Sequence, residues 1–520
     1  MTEQDDTIAF LADPRTHGGA PVERIDTHGA IVFLAGSRAL KLKRAVRYDY
    51  MDFSTVALRR QACEAEIRIN RRTAPAIYRA AVPVTRGRDG TLGLGGAGDV
   101  VDWVVDMVRF DQAGLFDRLA VRGALDDALA VTLADTVASF HDQAEAAPAF
   151  GGAPALAATI AGNARELERY VGTVFAADAV ARLEVASRQA LARHRDLAGR
   201  RRDRGLVRRC HGDLHLRNVC LIEGRPTLFD AIEFSDAFAC IDVVYDLAFL
   251  LMDLWHRNLR RAANLVLNRY LWRRSDLEAL ALMPLFLALR AGVRAHVTAT
   301  AALRQPMEAR AAFGDEARAY LALANAALAP PPAVLVAIGG LSGSGKSTLA
   351  RALAPTIGPA PGAVVIQTDA IRKRLWGAAW SDRLPPAAYA PAMSERTYTA
   401  VRAEAATVVG AGHAVILDAV HARRDEREAV ADLAQGAGVR FVGLWLDAPR
   451  PAMAERLDAR RGDVSDATAQ VLAQQLTYDL GAIDWHRIDA TRPTAAVAAE
   501  AASLIGCATE APRVQSGMGD

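Results

Sequence analysis

The sequence predicts two domains of different class: a two-lobed α+β domain, then an α/β domain built on a five-stranded parallel sheet. Three observations carry this. A proline triplet, Pro330 to Pro332, stops a long Ala/Leu/Arg-rich helical region and sets an extended linker. Ahead of it, strand-like runs between Arg24 and Phe110 give way, from about Leu119, to helical periodicity. Behind it, short apolar runs of the buried parallel-strand type alternate with helical segments, beginning at "AVLVAIGG". The expected partition is a first domain over 1–329 (small lobe about 20–115, helical lobe about 116–329), a linker at 330–333, a second domain over 334–507 and a tail at 508–520.

Bulk properties agree and exclude several classes. A chain of 520 residues exceeds what one core supports. It is 51% hydrophobic and 23% charged, a globular composition. With 62 basic and 60 acidic side chains, the net charge of +2 makes no case for nucleic acid or an acidic membrane surface as partner. Cys63, Cys210, Cys220, Cys240 and Cys507 are odd in number and widely spaced, which fits neither a disulfide framework nor a zinc site. "MTEQDDTIAF" lacks the basic start and apolar run of a signal peptide. The apolar runs "ALALMPLFLAL" and "VVYDLAFLLMDLW" are short or carry acids, so they read as buried helices. A soluble, cytoplasmic protein is expected, with no membrane partner and its oligomeric state left open.

In the first domain the strands are "AIVFLAG", "RALKLKR" and "VVDWVVDMVRF", with a helix over about Thr55 to Thr73. "GLGGAG", Gly93 to Gly98, lies after these lysines and just before a strand, so it reads as a hairpin turn and not a nucleotide loop. A strand pair is expected around "NVCLIEG" and "RPTLFDAIEF". Between the lobes' chemistry sits "HGDLHLRN", whose H-x-D-x-x-x-x-N spacing is that of a kinase catalytic loop, with Gly212 where protein kinases have Arg. Asp213 would orient or accept the proton of an attacking hydroxyl, Asn218 would hold a magnesium ion, and His211 would brace the loop. Asp230, after the next apolar strand, takes the place of the second magnesium ligand, and Glu233 is positioned to assist it. Lys41 and Lys43 share one strand face, so either reaches phosphates; Lys41 is favoured. Its acidic partner is Glu64 or Glu66, with Glu66 favoured. Met107 to Phe110 falls where an adenine hinge belongs. Asp242 braces the catalytic loop or simply opens a helix. Arg290 and Arg294, at i, i+4, grip an anionic substrate or form a solvated face. No glycine clasp precedes Lys41, which argues against a protein kinase proper.

"HGDLHLRN…LFDAIEF" resembles the aminoglycoside phosphotransferases and related small-molecule kinases. "VFLAGSRALKLKRAVRYDYMDFSTVALRRQACEAEIRINRR" further resembles the N-terminal part of a bacterial fusion family that joins such a protein-kinase-like domain to a P-loop kinase domain. The resemblance implies ATP and Mg2+ as cofactors and a small-molecule acceptor. The absence of an evident acidic cluster in the helical lobe disfavours polycationic antibiotics as that acceptor.

The second domain carries "GLSGSGKS", a G-x-x-x-x-G-K-S match after a strand and at the start of a helix. Gly340, Gly343 and Gly345 let the loop's N–H groups, including those of Ser342 and Ser344, turn inward at the positive helix end. Lys346 reaches the β/γ-phosphates; Ser347 meets magnesium and Thr348 flanks it. "AVVIQTDAIRKRLWG" ends a strand in Asp369, with Arg372 three residues on. Similar D-x-x-R segments in polynucleotide-, chloramphenicol- and gluconate-type P-loop kinases imply that Asp369 activates the acceptor and Arg372 contacts it. "HAVILDAVHARRDERE" ends a strand at Asp418, a second metal position. Arg456, Arg460 and Arg461 recur at helical spacing as candidate lid arginines. "RFVGLWLDAP" and "WHRIDA" complete the sheet, expected in the order second, third, first, fourth, fifth. The expected activity is two phosphotransfers to hydroxyls at separate ATP sites. Weighed against it are a first domain that only binds and regulates, and nucleic-acid end phosphorylation by the second.

Overall fold

The computed structural model describes residues 4–48, 50–303, 306–380, 382–459 and 466–506. They form two compact units: Met1–Arg257 with Leu289–Ala322, and Asn258–Ala288 with Leu323–Asp520. The units do not follow the expected cut at the proline triplet. Residues 258–288, read from sequence as part of the first domain, pack with the second unit, for a reason given below.

In the first unit, β1 (Val22–Asp26), β2 (Ala30–Ala35), β3 (Arg38–Lys43), β4 (Tyr78–Arg86), β5 (Leu92–Leu94) and β6 (Asp99–Val108) form one antiparallel sheet ordered β1-β2-β3-β6-β4-β5. Alternation sorts β3 cleanly. Leu40 and Leu42 join Ile31, Phe33, Val84 and Val104 on one face. Ala39, Lys41 and Lys43 point to the other, where Ala39 packs with Cys63 and Ile67 of α1 (Val56–Asn70). The Thr55 hydroxyl caps α1 by accepting from the Leu58 N–H at 3.3 Å. Arg59, Ala62, Cys63, Glu66, Ile67 and Asn70 recur at helical spacing and are buried. Arg59 is fully buried and donates to Asp102 at 2.7 Å; Gln4 donates to the same carboxylate at 2.8 Å. The Gly95–Gly98 stretch is the connection between β5 and β6.

The helical part of this unit contributes an antiparallel hairpin, β7 (Val219–Ile222) and β8 (Arg225–Leu228), and α2 (Val243–His256), buried from Val243 through Leu254. The stretch Leu277–Ala302, of which residues from Leu289 onward belong to this unit, is long and apolar enough to cross a membrane; 67% of the window that qualifies is buried, as in a core helix.

In the second unit, β9 (Val334–Gly339), β10 (Val364–Gln367), β11 (Val415–Asp418), β12 (Arg440–Asp447) and β13 (His486–Asp489) form a parallel sheet ordered β10-β11-β9-β12-β13. This is the expected order, and it puts the carboxyl ends of β9 and β11 side by side. Edge strand β10 is covered by α3 (Arg260–Arg274). Asn264 donates to the carbonyls of Pro361 and Ala363 at 3.1 and 3.0 Å; Asn268 accepts from the Val365 N–H at 2.7 Å and donates to Ala363 at 3.2 Å. Two amide side chains thus do for this edge what a further strand would do, which is why 258–288 belongs here.

Candidate active sites

In the first unit, strand alternation aims Lys41 and Lys43 at α1. The Lys41 ammonium lies 2.8 Å from Glu66 Oε1 and 2.6 Å from Asp230 Oδ1. Lys43 pairs with the second oxygen of Glu66 and with Glu233. Burial works against the charge on Lys41, but Asp230 and Glu66 outweigh it and hold its pKa well above the ordinary lysine value. Burial likewise opposes ionisation of Asp230, and Lys41 overcomes it, so this carboxyl sits below its usual range. Asp230 has φ of +62°, a conformation L-residues rarely hold. It is kept there by its neighbours: its N–H donates to the Tyr78 hydroxyl at 3.0 Å, and the Ala231 N–H donates to Asn70 Oδ1 at 2.7 Å.

The loop from His211 to Asn218 is latched from below. The buried Asp246 carboxylate accepts the backbone N–H groups of His211 and Gly212 at 3.0 and 2.9 Å, and faces His141 Nε2 at 3.1 Å. Arg290 donates to the Gly212 carbonyl at 3.0 Å, and Asp253 accepts from the Leu216 N–H at 2.9 Å. Gly212 has φ of +84°, and a Cβ there would stand 2.9 Å from the Phe238 carbonyl oxygen, so no side chain fits. His211 Nε2 meets the Phe229 carbonyl at 2.9 Å. Asn218 donates to both the side chain and the carbonyl of Asp213 at 2.9 Å, which aims the Asp213 carboxylate. Burial opposes the Asp213 charge, but His215, 3.3 Å away, holds its pKa below the ordinary range. The result is an ionised carboxylate, 39% of its side chain exposed, beside a Lys–Glu–Asp cluster.

In the second unit, β9 runs into the loop 340–345 and then α4 (Lys346–Leu353). Gly340, Gly343 and Gly345 have φ of +136°, +83° and +102°. A Cβ on Gly343 would strike the Met453 carbonyl. Ser342 donates its N–H to Gln475 at 2.8 Å, and Lys346 donates to the Leu341 carbonyl at 3.0 Å, folded back over the loop. Ser347 is half-buried and Thr348 exposed. Asp418 ends β11 and accepts from Gln367 at 2.9 Å. Asp369 stands in the first turn of α5 (Thr368–Trp376), partly exposed. Arg372 is buried; it donates to the Ala388 carbonyl and Ser394 and lies 4.9 Å from the centre of the Tyr389 ring.

Comparison with known proteins places both halves. The phosphotransferase enzyme family matches residues 50–282, and the AAA domain family matches 335–478. An uncharacterized protein of Mycobacterium tuberculosis (strain H37Rv) is 32% identical over 490 residues, 90% of this chain and 92% of that one. The chain belongs to that family. It fuses a phosphotransferase-family domain to an AAA-type P-loop domain, and it is an ATP-dependent phosphotransferase. Among solved structures, a choline/ethanolamine kinase family protein from Mesorhizobium loti covers 63% of this chain and 99% of its own, at 16% identity and TM-score 0.36. A gluconokinase from Sinorhizobium meliloti covers 34% and 92%, at 24% identity and TM-score 0.24.

Within this phosphotransferase fusion, several expected roles change. Asp242 does not brace the catalytic loop: it takes Arg201 in a two-point pair at 2.7 and 2.9 Å and caps α2 through the Val244 N–H. Asp246, one helical turn on, is the brace. An acid inside an otherwise apolar helix was the available signal, because such a group needs partners. Glu233 pairs with Lys43. Glu64 pairs with Arg60 on the surface, away from Lys41. Arg290 is spent on Gly212 and Tyr245, so it braces and does not grip substrate. Arg456, on α6 (Arg450–Asp458), donates to the carbonyls of Gly343, Ser344 and Ala490, which ties it to the phosphate loop. Arg460 and Arg461 lie outside the described residues. Tyr78 and Asn70, which position Asp230, were missed, because nothing local in sequence links them to a residue about 150 positions away.

Proposed function

We propose that the protein is a bifunctional phosphotransferase, with each unit moving the γ-phosphoryl group of ATP to a hydroxyl of a small molecule at its own site. The observation that carries the first half is the Lys41–Glu66–Asp230 cluster facing an Asp213 whose carboxylate is aimed by Asn218. Asp213 takes the acceptor's proton as the new O–P bond forms and the β–γ bridge breaks, releasing ADP. Lys41 meets the departing phosphates. In the second unit the loop N–H groups and Lys346 hold the phosphates, and Asp369 serves the acceptor hydroxyl. Asn218 and Asp230 in one unit, and Ser347 and Asp418 in the other, are the hard oxygen donors that Mg2+ prefers. The Asp230 side chain is 43% exposed, open to such a ligand. Bound there, the ion would neutralise phosphate charge. Near-zero net charge supports a small-molecule acceptor over nucleic acid, and the composition supports a cytoplasmic setting.

A second reading has one observation behind it. The turn between β1 and β2 carries a single glycine, Gly29, where a glycine-rich clasp would cover ATP. On this reading the first unit binds nucleotide and regulates. The deciding experiment screens a metabolite library for ATP-dependent phosphorylation with wild type, Asp213→Asn and Lys346→Ala. Each variant is expected to lose one set of products by about 100-fold or more. If Lys346→Ala removes all turnover and Asp213→Asn removes none, the bifunctional reading is wrong.

A further inference from the structure

Neither imidazole nitrogen of His421 has a hydrogen-bond partner among the described residues, although the side chain is fully buried. Its backbone is also held at φ of +49°. A buried polar group left unpaired and a strained conformation are both costly, and strain of this kind concentrates at functional sites. His421 lies three residues past Asp418, on the segment whose Val420 carbonyl accepts the Gly340 N–H at 3.2 Å. The imidazole is therefore carried at the rim of the phosphate loop.

Aromatic rings surround it. Its ring centre is 6.2 Å from that of Tyr398 and 5.1 Å from that of Trp485, both edge-on. Trp485 in turn packs against Gly339, at the foot of the loop. Burial and the Glu426 carboxylate raise the pKa of the Tyr398 hydroxyl, while the His421 N–H and the Arg372 charge act the other way. Tyr398 and Trp485 are partly exposed, so a modest shift of either ring opens the imidazole to a ligand.

The cations nearby are already engaged with the protein. Arg372 holds Ala388, Ser394 and the Tyr389 ring; Lys373 holds the Trp380 carbonyl and Asp466; Arg427 donates to four carbonyls. Burial, with the charges of Lys346 and Arg427 acting the same way, pushes the His421 pKa down to about 3, so the ring is neutral. A neutral imidazole offers one donor and one acceptor, the pair a hydroxyl answers.

We propose that His421, Tyr398 and Trp485 form the acceptor-binding wall of the second unit, and that its acceptor is a neutral polyhydroxylated molecule, a sugar or polyol, whose hydroxyl bonds the His421 imidazole. This rests on reading the second unit as a phosphotransferase. The test uses the full chain with Asp213→Asn, so that ADP release reports the second unit. Glucose, ribose, myo-inositol and sorbitol are compared with gluconate, glucuronate and a 5′-hydroxyl oligonucleotide, and binding of a fluorescent ATP analogue is followed in parallel. A neutral polyol is expected to be phosphorylated. His421→Phe should raise its KM about tenfold, with ATP affinity within about twofold and no fall in melting temperature. Turnover of only the carboxylated sugars or the oligonucleotide overturns the proposal. So does a panel with no acceptor while ATP binds, or a His421→Phe variant that loses ATP affinity and polyol affinity alike. ATP binding that Lys346→Ala leaves unchanged is a different result: the second unit then binds no ATP, and its phosphotransferase reading fails.

Discussion

Asp246 shows how one buried side chain sets the geometry of a loop it never joins chemically. It collects two N–H groups and a histidine, with Arg290 nearby at 3.9 Å. Removing it leaves all of these facing an apolar pocket, so Asp246→Ala should destabilise the first unit by about 3–5 kcal/mol in urea titrations. A loss under 1 kcal/mol would mean that the latch is ornamental. His413 makes a pH argument. Burial pushes its pKa down to about 4, against an ordinary 6.5, while it contacts the Gly362 carbonyl. Between those values the unfolded chain binds more protons, so stability is full above about pH 6.5 and falls as pH drops toward 4. At about 1.4 kcal/mol per tenfold in proton affinity, this one residue accounts for about 3 kcal/mol. The melting temperature should fall accordingly from pH 8 to 4.5, and His413→Gln should weaken that pH dependence. At this scale the sequence is legible where chemistry has a fixed spacing, as from His211 to Asn218 or Gly340 to Ser347. It is silent where a role depends on which group a fold brings near: Asp242 and Asp246 sit one turn apart, and only packing tells them apart.

At the scale of elements, α3 decides where the second unit begins. Asn268 accepts the Val365 N–H of edge strand β10 at 2.7 Å. Asn268→Ala should therefore cost about 1–3 kcal/mol in the second unit's unfolding transition. A fragment starting at residue 330 lacks α3 altogether. It should aggregate through the bared edge of β10, while co-expression with a peptide spanning 258–288 should restore soluble material; size-exclusion profiles distinguish the two. The proline triplet was the right signal for a break in secondary structure and the wrong one for a break in packing. The apolar runs of β2 and β6 and the alternating apolar and basic residues of β3 could be read directly. β4 has nine residues but mixed burial, and its pairing depends on partners far along the chain.

For the whole molecule, the proposed pair of nucleotide sites predicts two ligand-dependent transitions. ATP with Mg2+ at about 100 times Kd should raise each unit's unfolding free energy by about 2.7 kcal/mol. Lys346→Ala should abolish the gain in one transition and spare the other; a single shared response in calorimetry would contradict two sites. The covered edge of β10 has one more consequence, which concerns time and not energy. Asn264 and its partner Ala363 are 99 positions apart in the chain. On a ribosome adding about 5–20 residues per second, α3 emerges roughly 5–20 seconds before the strand it covers. During that interval its asparagines and buried leucines lack the strand they will cover, so residues 258–288 cannot complete their packing until the chain has grown past β10.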